Sequence, residues 1–111
     1  MQYTIQDLEV FDIVPGYHAR MIHTDDMTIA FVEIDAGAPL PQHSHVHVQV
    51  ANVLEGEFEM VLGGETLLLR AGQSLVIPSN VPHSGRAITA CKIMDVFTPV
   101  REDFMARKVN Y

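Results

Sequence analysis

The stretch PQHSHVHVQVANVLEGE, residues 41–57, puts His43, His45, His47 and Gln49 at every second position. Alternate residues of a strand share one face, about 6.6 Å apart. His43 and His45 can therefore bring ring nitrogens to about 2.1 Å from one shared ion. The row has two readings: a solvated face of an edge strand, or the start of a metal site. Gln49 would lie about 20 Å from His43 along an extended strand. It can join the two histidines at one ion only if the chain turns between His45 and Gln49. In that case His47 falls near the bend and need not face the ion.

Outward from this stretch the chain is a series of short β-rich runs between turn signals. MTIAFVEID (27–35) ends at AGAP, and VQVANVL (48–54) ends at EGE. EFEMVL and ETLLL flank Gly63-Gly64, which suits a two-residue primed turn needing positive φ. SLVIP follows Ala71-Gly72, and AITACKIMDVF (87–97) stops before Pro99. The tail REDFMARKVN (101–110) fits either one helical turn or a flat segment. No long stretch has helical periodicity. Many short strands at close spacing predict an all-β antiparallel sandwich or closed barrel, in one domain over residues 1–111.

Composition narrows the function classes. Hydrophobic residues make up 48% of the 111, enough for a real core. Seven basic residues stand against fourteen acidic ones, a formal net charge of −7 with no basic stripe. Nucleic acid and anionic membrane surfaces are poor partners on that balance. No apolar run reaches the roughly 20 residues of a bilayer span. The N-terminal segment lacks the pattern of a secretory signal, and one cysteine, Cys91, fits a reducing compartment. A cytoplasmic protein is expected.

A further histidine, His83, follows Pro78 and Pro82 in IPSNVPHSG. Prolines disfavour a strand interior, so this segment reads as a stiff loop or strand entry. Taken alone, His83 is either a surface turn residue or a ligand held in place.

With His83 the pieces match a family. GAPLPQHSHVHVQVANVLEG resembles the first cupin motif, G-x5-H-x-H-x3,4-E-x6-G, through Gly37, His43, His45 and Gly56, with Gln49 where the motif has glutamate. GQSLVIPSNVPH resembles the second, G-x5-P-x-G-x2-H-x3-N, through Gly72, Pro78 and His83. Asn80 stands for the inner glycine and Ala87 for the final asparagine. The resemblance implies a small double-stranded β-helix, a jelly-roll-like barrel. It also implies a turn that brings the third ligand to the His-x-His pair. The glutamine and DVFTPVRED further resemble the KdgF-type cupins, which open the ring of 4,5-unsaturated uronates released by pectin or alginate lyases. That resemblance implies metal ligands His43, His45, Gln49 and His83. It implies one divalent transition metal ion (nickel, zinc, manganese or iron) and a substrate-side trio of Asp95, Phe97 and Arg101. Cupins are commonly dimers, so a homodimer is expected as well.

The residues themselves suit that chemistry. Alternation puts Cys91, Ile93, Asp95 and Phe97 on one strand face. Asp95 therefore sits on a mostly apolar face, where desolvation raises a carboxyl pKa. Two readings stay open for it, an internal salt bridge to Arg20 or Arg101, or a proton-transfer group. Three imidazoles and an amide leave an ion's charge uncompensated, which favours a Lewis acid gripping an anionic substrate. Glu57 and Glu59 face opposite Phe58 and Met60 and read as a solvated outer face. Besides the uronate enzyme, two other functions fit: a non-catalytic metallocupin that binds a sugar or organic acid, and a small-molecule dioxygenase.

Overall fold

The computed structural model describes residues 1–109. After a 3-10 turn at Ile5–Asp7 come β1 (Val10–Asp12), β2 (Tyr17–His23), β3 (Thr28–Ile34), β4 (Pro39–His43) and β5 (Val48–Glu55). Then follow β6 (Glu57–Leu62), β7 (Glu65–Arg70), β8 (Ser74–Ile77), β9 (His83–Ala87), β10 (Cys91–Thr98) and one helical turn, α1 (Glu102–Met105). They build two antiparallel sheets. One has the order β1-β2-β3-β10-β5-β8, the other β4-β9-β6-β7. Strands distant in sequence lie side by side, the jelly-roll arrangement the two motifs imply.

Period-two alternation decides what faces inward. Thr28, Ala30, Val32 and Ile34 of β3 are buried, as are Gln49, Ala51 and Val53 of β5. Phe58, Met60 and Leu69 supply the opposing wall from the four-stranded sheet. Gly63 and Gly64 have φ of 55° and 86°, as a primed turn between β6 and β7 requires. Glu57 and Glu59 are half-buried on the far side of β6 from buried Phe58 and Met60.

The run 87–97, expected as one strand, is interrupted at residues 88–90. Ala87 ends β9 in one sheet and Cys91 begins β10 in the other. The chain must cross between sheets there, and hydrophobic alternation carries no mark of a change of sheet. β1 and β2 carry too little apolar pattern to read as strands, while β9 opens at His83, where the sequence allows a strand entry. β4 holds Pro39 and Pro41 and lies at a sheet edge, where a missing backbone N–H is tolerated. The tail makes the single turn of α1, whose Phe104 packs on Phe97 with ring centroids 5.5 Å apart. Asn110, the last residue of that expected segment, lies outside the described residues.

Candidate metal centre

β4 and β9 pair so that His43, the last residue of one, stands in register with His83, the first of the other. His45 lies in the loop after β4, and that loop is pinned from the second motif. The Asn80 N–H donates to the His45 carbonyl at 2.8 Å. The Ser79 hydroxyl donates to the Val46 carbonyl at 2.6 Å. Asn80 has φ of 64°, a left-handed conformation that asparagine tolerates better than most side chains. It thus does the work of the inner glycine it replaces.

The chain turns between His45 and Gln49, as a shared site requires. Ring centroids of His43 and His83 are 4.2 Å apart, those of His45 and His83 5.0 Å, and those of His43 and His45 5.7 Å. One ring nitrogen from each of these three residues lies within 4.8 Å of the others, a grouping that could hold a metal ion. His47 is outside this cluster, with its ring centroid 5.5 Å from that of His45.

Backbone carbonyls orient all three rings. His43 Nδ1 meets Pro41 O at 2.7 Å, His45 Nδ1 meets His47 O at 3.0 Å, and His83 Nδ1 meets Val81 O at 2.9 Å. A carbonyl only accepts, so it selects the tautomer that carries its proton on Nδ1 and leaves Nε2 as a lone pair. His83 is 2% exposed, and its Nε2 has no hydrogen-bond partner among the described residues. Burial lowers the pKa of all three rings, to about 4 for His43 and His45. They are neutral near pH 7, the form a metal needs.

Gln49 points inward from β5 and is 8% exposed. Its Oε1 is 3.2 Å from His45 Nε2, and its Nε2 donates to Asp95 Oδ1 at 2.9 Å. His45 is therefore bracketed by two acceptors, His47 O and Gln49 Oε1. Either neutral tautomer leaves one acceptor facing another, and a ring with a pKa near 4 does not take a second proton to relieve it. A cation beside His45 Nε2 and Gln49 Oε1 removes the conflict. With the unpartnered His83 Nε2, this makes the residues fit a divalent ion.

Asp95 stands between two alanines, paired with Ala30 on β3 and Ala51 on β5. Small neighbours leave its carboxylate lining an internal cavity of about 50 Å³, together with His43, Gln49, His83, Phe97 and Tyr17. Desolvation raises its pKa to about 6, against the lowering effects of the Gln49 hydrogen bond and the Arg101 charge. A bound cation would pull in the same direction as Arg101.

The two arginines named as possible partners of Asp95 are engaged elsewhere. Arg20 lies 3.9 Å from Glu33. Arg101, 2% exposed, makes a two-point contact with Asp103 at 2.9 and 2.7 Å. Its guanidinium stacks on Phe104 at 3.8 Å and Phe97 at 4.8 Å. Phe97 is buried and edges onto His45 with a centroid distance of 5.7 Å. Among the described residues no ion pair joins Asp95 to either arginine. Ala30, Ala51 and Tyr17 were not legible as site residues, because nothing in their local sequence marks strand register.

The Cupin domain family model matches residues 30–97. This chain is a cupin. The cupin is 32% identical over 84 residues to the pectin degradation protein KdgF of Dickeya dadantii (strain 3937), covering 74% of this chain and 76% of that protein. The solved structure of KdgF from Halomonas sp. superposes with a TM-score of 0.85 at 30% identity, covering 92% of this cupin and 96% of that chain. Salicylate 1,2-dioxygenase from Pseudoaminobacter salicylatoxidans, solved with gentisate, aligns at 26% identity and a TM-score of 0.73. There the match covers 78% of this cupin but 26% of the larger chain.

Proposed function

We propose that this cupin is a metal-dependent enzyme that opens the ring of 4,5-unsaturated uronate monosaccharides to 5-keto-4-deoxyuronates. The observation that carries the reading is Asp95. It is a carboxyl with a pKa raised to about 6, on the wall of the same cavity as Gln49 and two of the three convergent histidines, His43 and His83. The likeness to KdgF points to the same substrate class.

His43, His45, Gln49 and His83 would hold the ion, which when bound supplies Lewis acidity for an anionic substrate. Asp95 would take the proton from the anomeric hydroxyl. The C1 carbonyl forms as the bond from C1 to the ring oxygen breaks, and the electron pair passes to that oxygen as the enolate at C5. Asp95 then returns the proton to C4, which gives the 5-keto product. A carboxyl with a pKa near neutrality suits both transfers. Phe97 would give the sugar an apolar wall, and Arg101 would act through its charge on Asp95 or on the substrate carboxylate. The cavity is far smaller than the roughly 300–1,000 Å³ of ordinary ligand pockets. Only the reacting edge of a sugar would enter it, with the rest of the ring at its mouth.

The test is to mix the pure protein with lyase-generated unsaturated monouronate and follow the ultraviolet absorbance of its double bond. Loss of absorbance that depends on protein and metal supports the reading. No turnover of any unsaturated uronate refutes it. A second reading, a small-molecule dioxygenase, is favoured by the apolar cavity walls, including Val32, Phe58, Met60 and Ile93, and by the likeness to salicylate 1,2-dioxygenase. It requires oxygen uptake with an aromatic substrate, which an oxygen electrode reads directly.

A homodimer fits the outer face of the six-stranded sheet. Ile22, Ile29, Val96, Val50 and Val76 form one cross-strand row there. A monomer mass in light scattering at micromolar concentration would refute that assembly.

A further inference from the structure

The Gln49 amide is asymmetric, and what holds it decides which end faces the histidines. One end donates and the other accepts. Its Nε2 donates to Asp95 Oδ1 at 2.9 Å, while its Oε1 lies 3.2 Å from His45 Nε2. An ionised carboxylate only accepts, so it can be satisfied by the NH2 end alone. The two residues sit diagonally across the β5–β10 ladder, because Gln49 is opposite Phe97 while Asp95 is opposite Ala51. A larger residue at position 51 would block that reach.

We infer that Asp95 is the positioning residue of the metal centre: by holding the Gln49 NH2 group it aims the amide oxygen at the site. Resting on the reading that the three histidines and Gln49 hold an ion, this gives Asp95 a task separate from proton transfer. Oδ1 holds Gln49, and Oδ2, which makes no hydrogen bond among the described residues, remains for the substrate. Without an acceptor at position 95 the amide is free to rotate, and its NH2 end is no ligand for a cation.

The test is zinc affinity, measured by competition with a chromophoric chelator and independent of turnover. Wild type is compared with Asp95→Ala, Asp95→Asn, Gln49→Ala and the double variant Gln49→Ala/Asp95→Ala. Losing a residue that orients a ligand typically weakens metal binding about 10–100-fold. Asp95→Ala should lose that much. Asp95→Asn should bind near wild-type levels, because its amide oxygen can still accept from Gln49. The double variant should be no weaker than Gln49→Ala, since Asp95 acts only through Gln49. Wild-type affinity in Asp95→Ala overturns the inference. So does equal loss in Asp95→Asn and Asp95→Ala, which marks an effect of charge alone. Losses that multiply in the double variant overturn it as well. Failure of the wild type to bind zinc removes the four-ligand site itself, and the positioning role with it.

Discussion

His45 and His18 meet the same chemical problem in two regions of the molecule, and the surroundings give opposite answers. Each ring is bracketed by acceptors on both nitrogens. His45 faces His47 O and Gln49 Oε1. His18 faces Asp12 Oδ1 at 2.7 Å and Asp35 Oδ1 at 3.2 Å. At the surface the remedy is a proton, because two carboxylates and open solvent favour the imidazolium. The hydrogen bond to Asp12 is the largest cause that raises the His18 pKa. Inside the barrel, burial lowers the His45 pKa to about 4, the flanking acceptors are neutral, and two more imidazoles crowd the same point. A ring that refuses a proton yet faces an acceptor is left in need of a cation. A histidine's role is thus set by the charge and wetness of its acceptors, not by the presence of acceptors as such.

The strongest way to break this contrast is to remove ligands. His43→Ala combined with His83→Ala should abolish stoichiometric metal, while His18→Ala should leave it intact. Elemental analysis of the purified proteins reads the difference. Equal metal in all of them would mean the interior cluster holds no ion.

Next in size is the loss of proton transfer. Asp95→Asn, assayed at saturating metal, should lower the ring-opening rate by about 10²–10⁴ with little change in substrate affinity. Normal turnover per folded molecule would remove Asp95 from the chemistry.

A pH titration sharpens the comparison without mutation. The folded pKa values of His43 and His45 lie below histidine's ordinary value of about 6.5. Between 6.5 and about 4 the unfolded chain therefore binds protons that these two folded rings do not. Their contribution favours the folded metal-free protein above pH 6.5 and fades as pH falls towards 4. His18 has the opposite sign. Its raised pKa contributes stability below 6.5, which is lost as pH rises through the folded value. Histidine ring resonances followed by NMR in metal-free protein should separate the two classes. A common midpoint near 6.5 for all of them would erase the distinction.

The smallest effect belongs to the surface. His18→Gln should cost only about 0–1 kcal/mol, as exposed ion pairs do, and that cost should shrink at high salt. A loss of several kcal/mol in chemical denaturation would show that this cluster is not the solvated pair it resembles.

Much of the candidate site was readable from local spacing. His43 and His45 stand two residues apart, close enough to converge even though β4 ends at His43 and His45 lies in the loop beyond it, and the reach to Gln49 demands a turn. Pro78 and Pro82 mark the loop that leads into His83, the first residue of β9. Asp95 follows from alternation along β10. The partners of those residues were not readable. Arg101 was a candidate partner for Asp95, yet its guanidinium is taken up by Asp103, two residues on, and by the faces of Phe97 and Phe104. The break between Ala87 and Cys91 was hidden because alternation records inside against outside and says nothing about which sheet a strand joins.

By itself the sequence determined that strands would alternate, that Gly63-Gly64 would admit positive φ, and which side chains carry lone pairs at metal spacing. These are properties of a few consecutive residues and need no knowledge of what lies across the sheet. Only the tertiary structure decided that His43 pairs with His83, that Ala30 and Ala51 make room around Asp95, and that Asp95 grips Gln49. The physical reason is register. It is set by the packing of the whole barrel, and shifting one strand by one residue turns every inward side chain outward. The hydrogen bonds and pKa shifts of the site depend on that register at distances of a few ångström, between residues up to 46 positions apart in the chain.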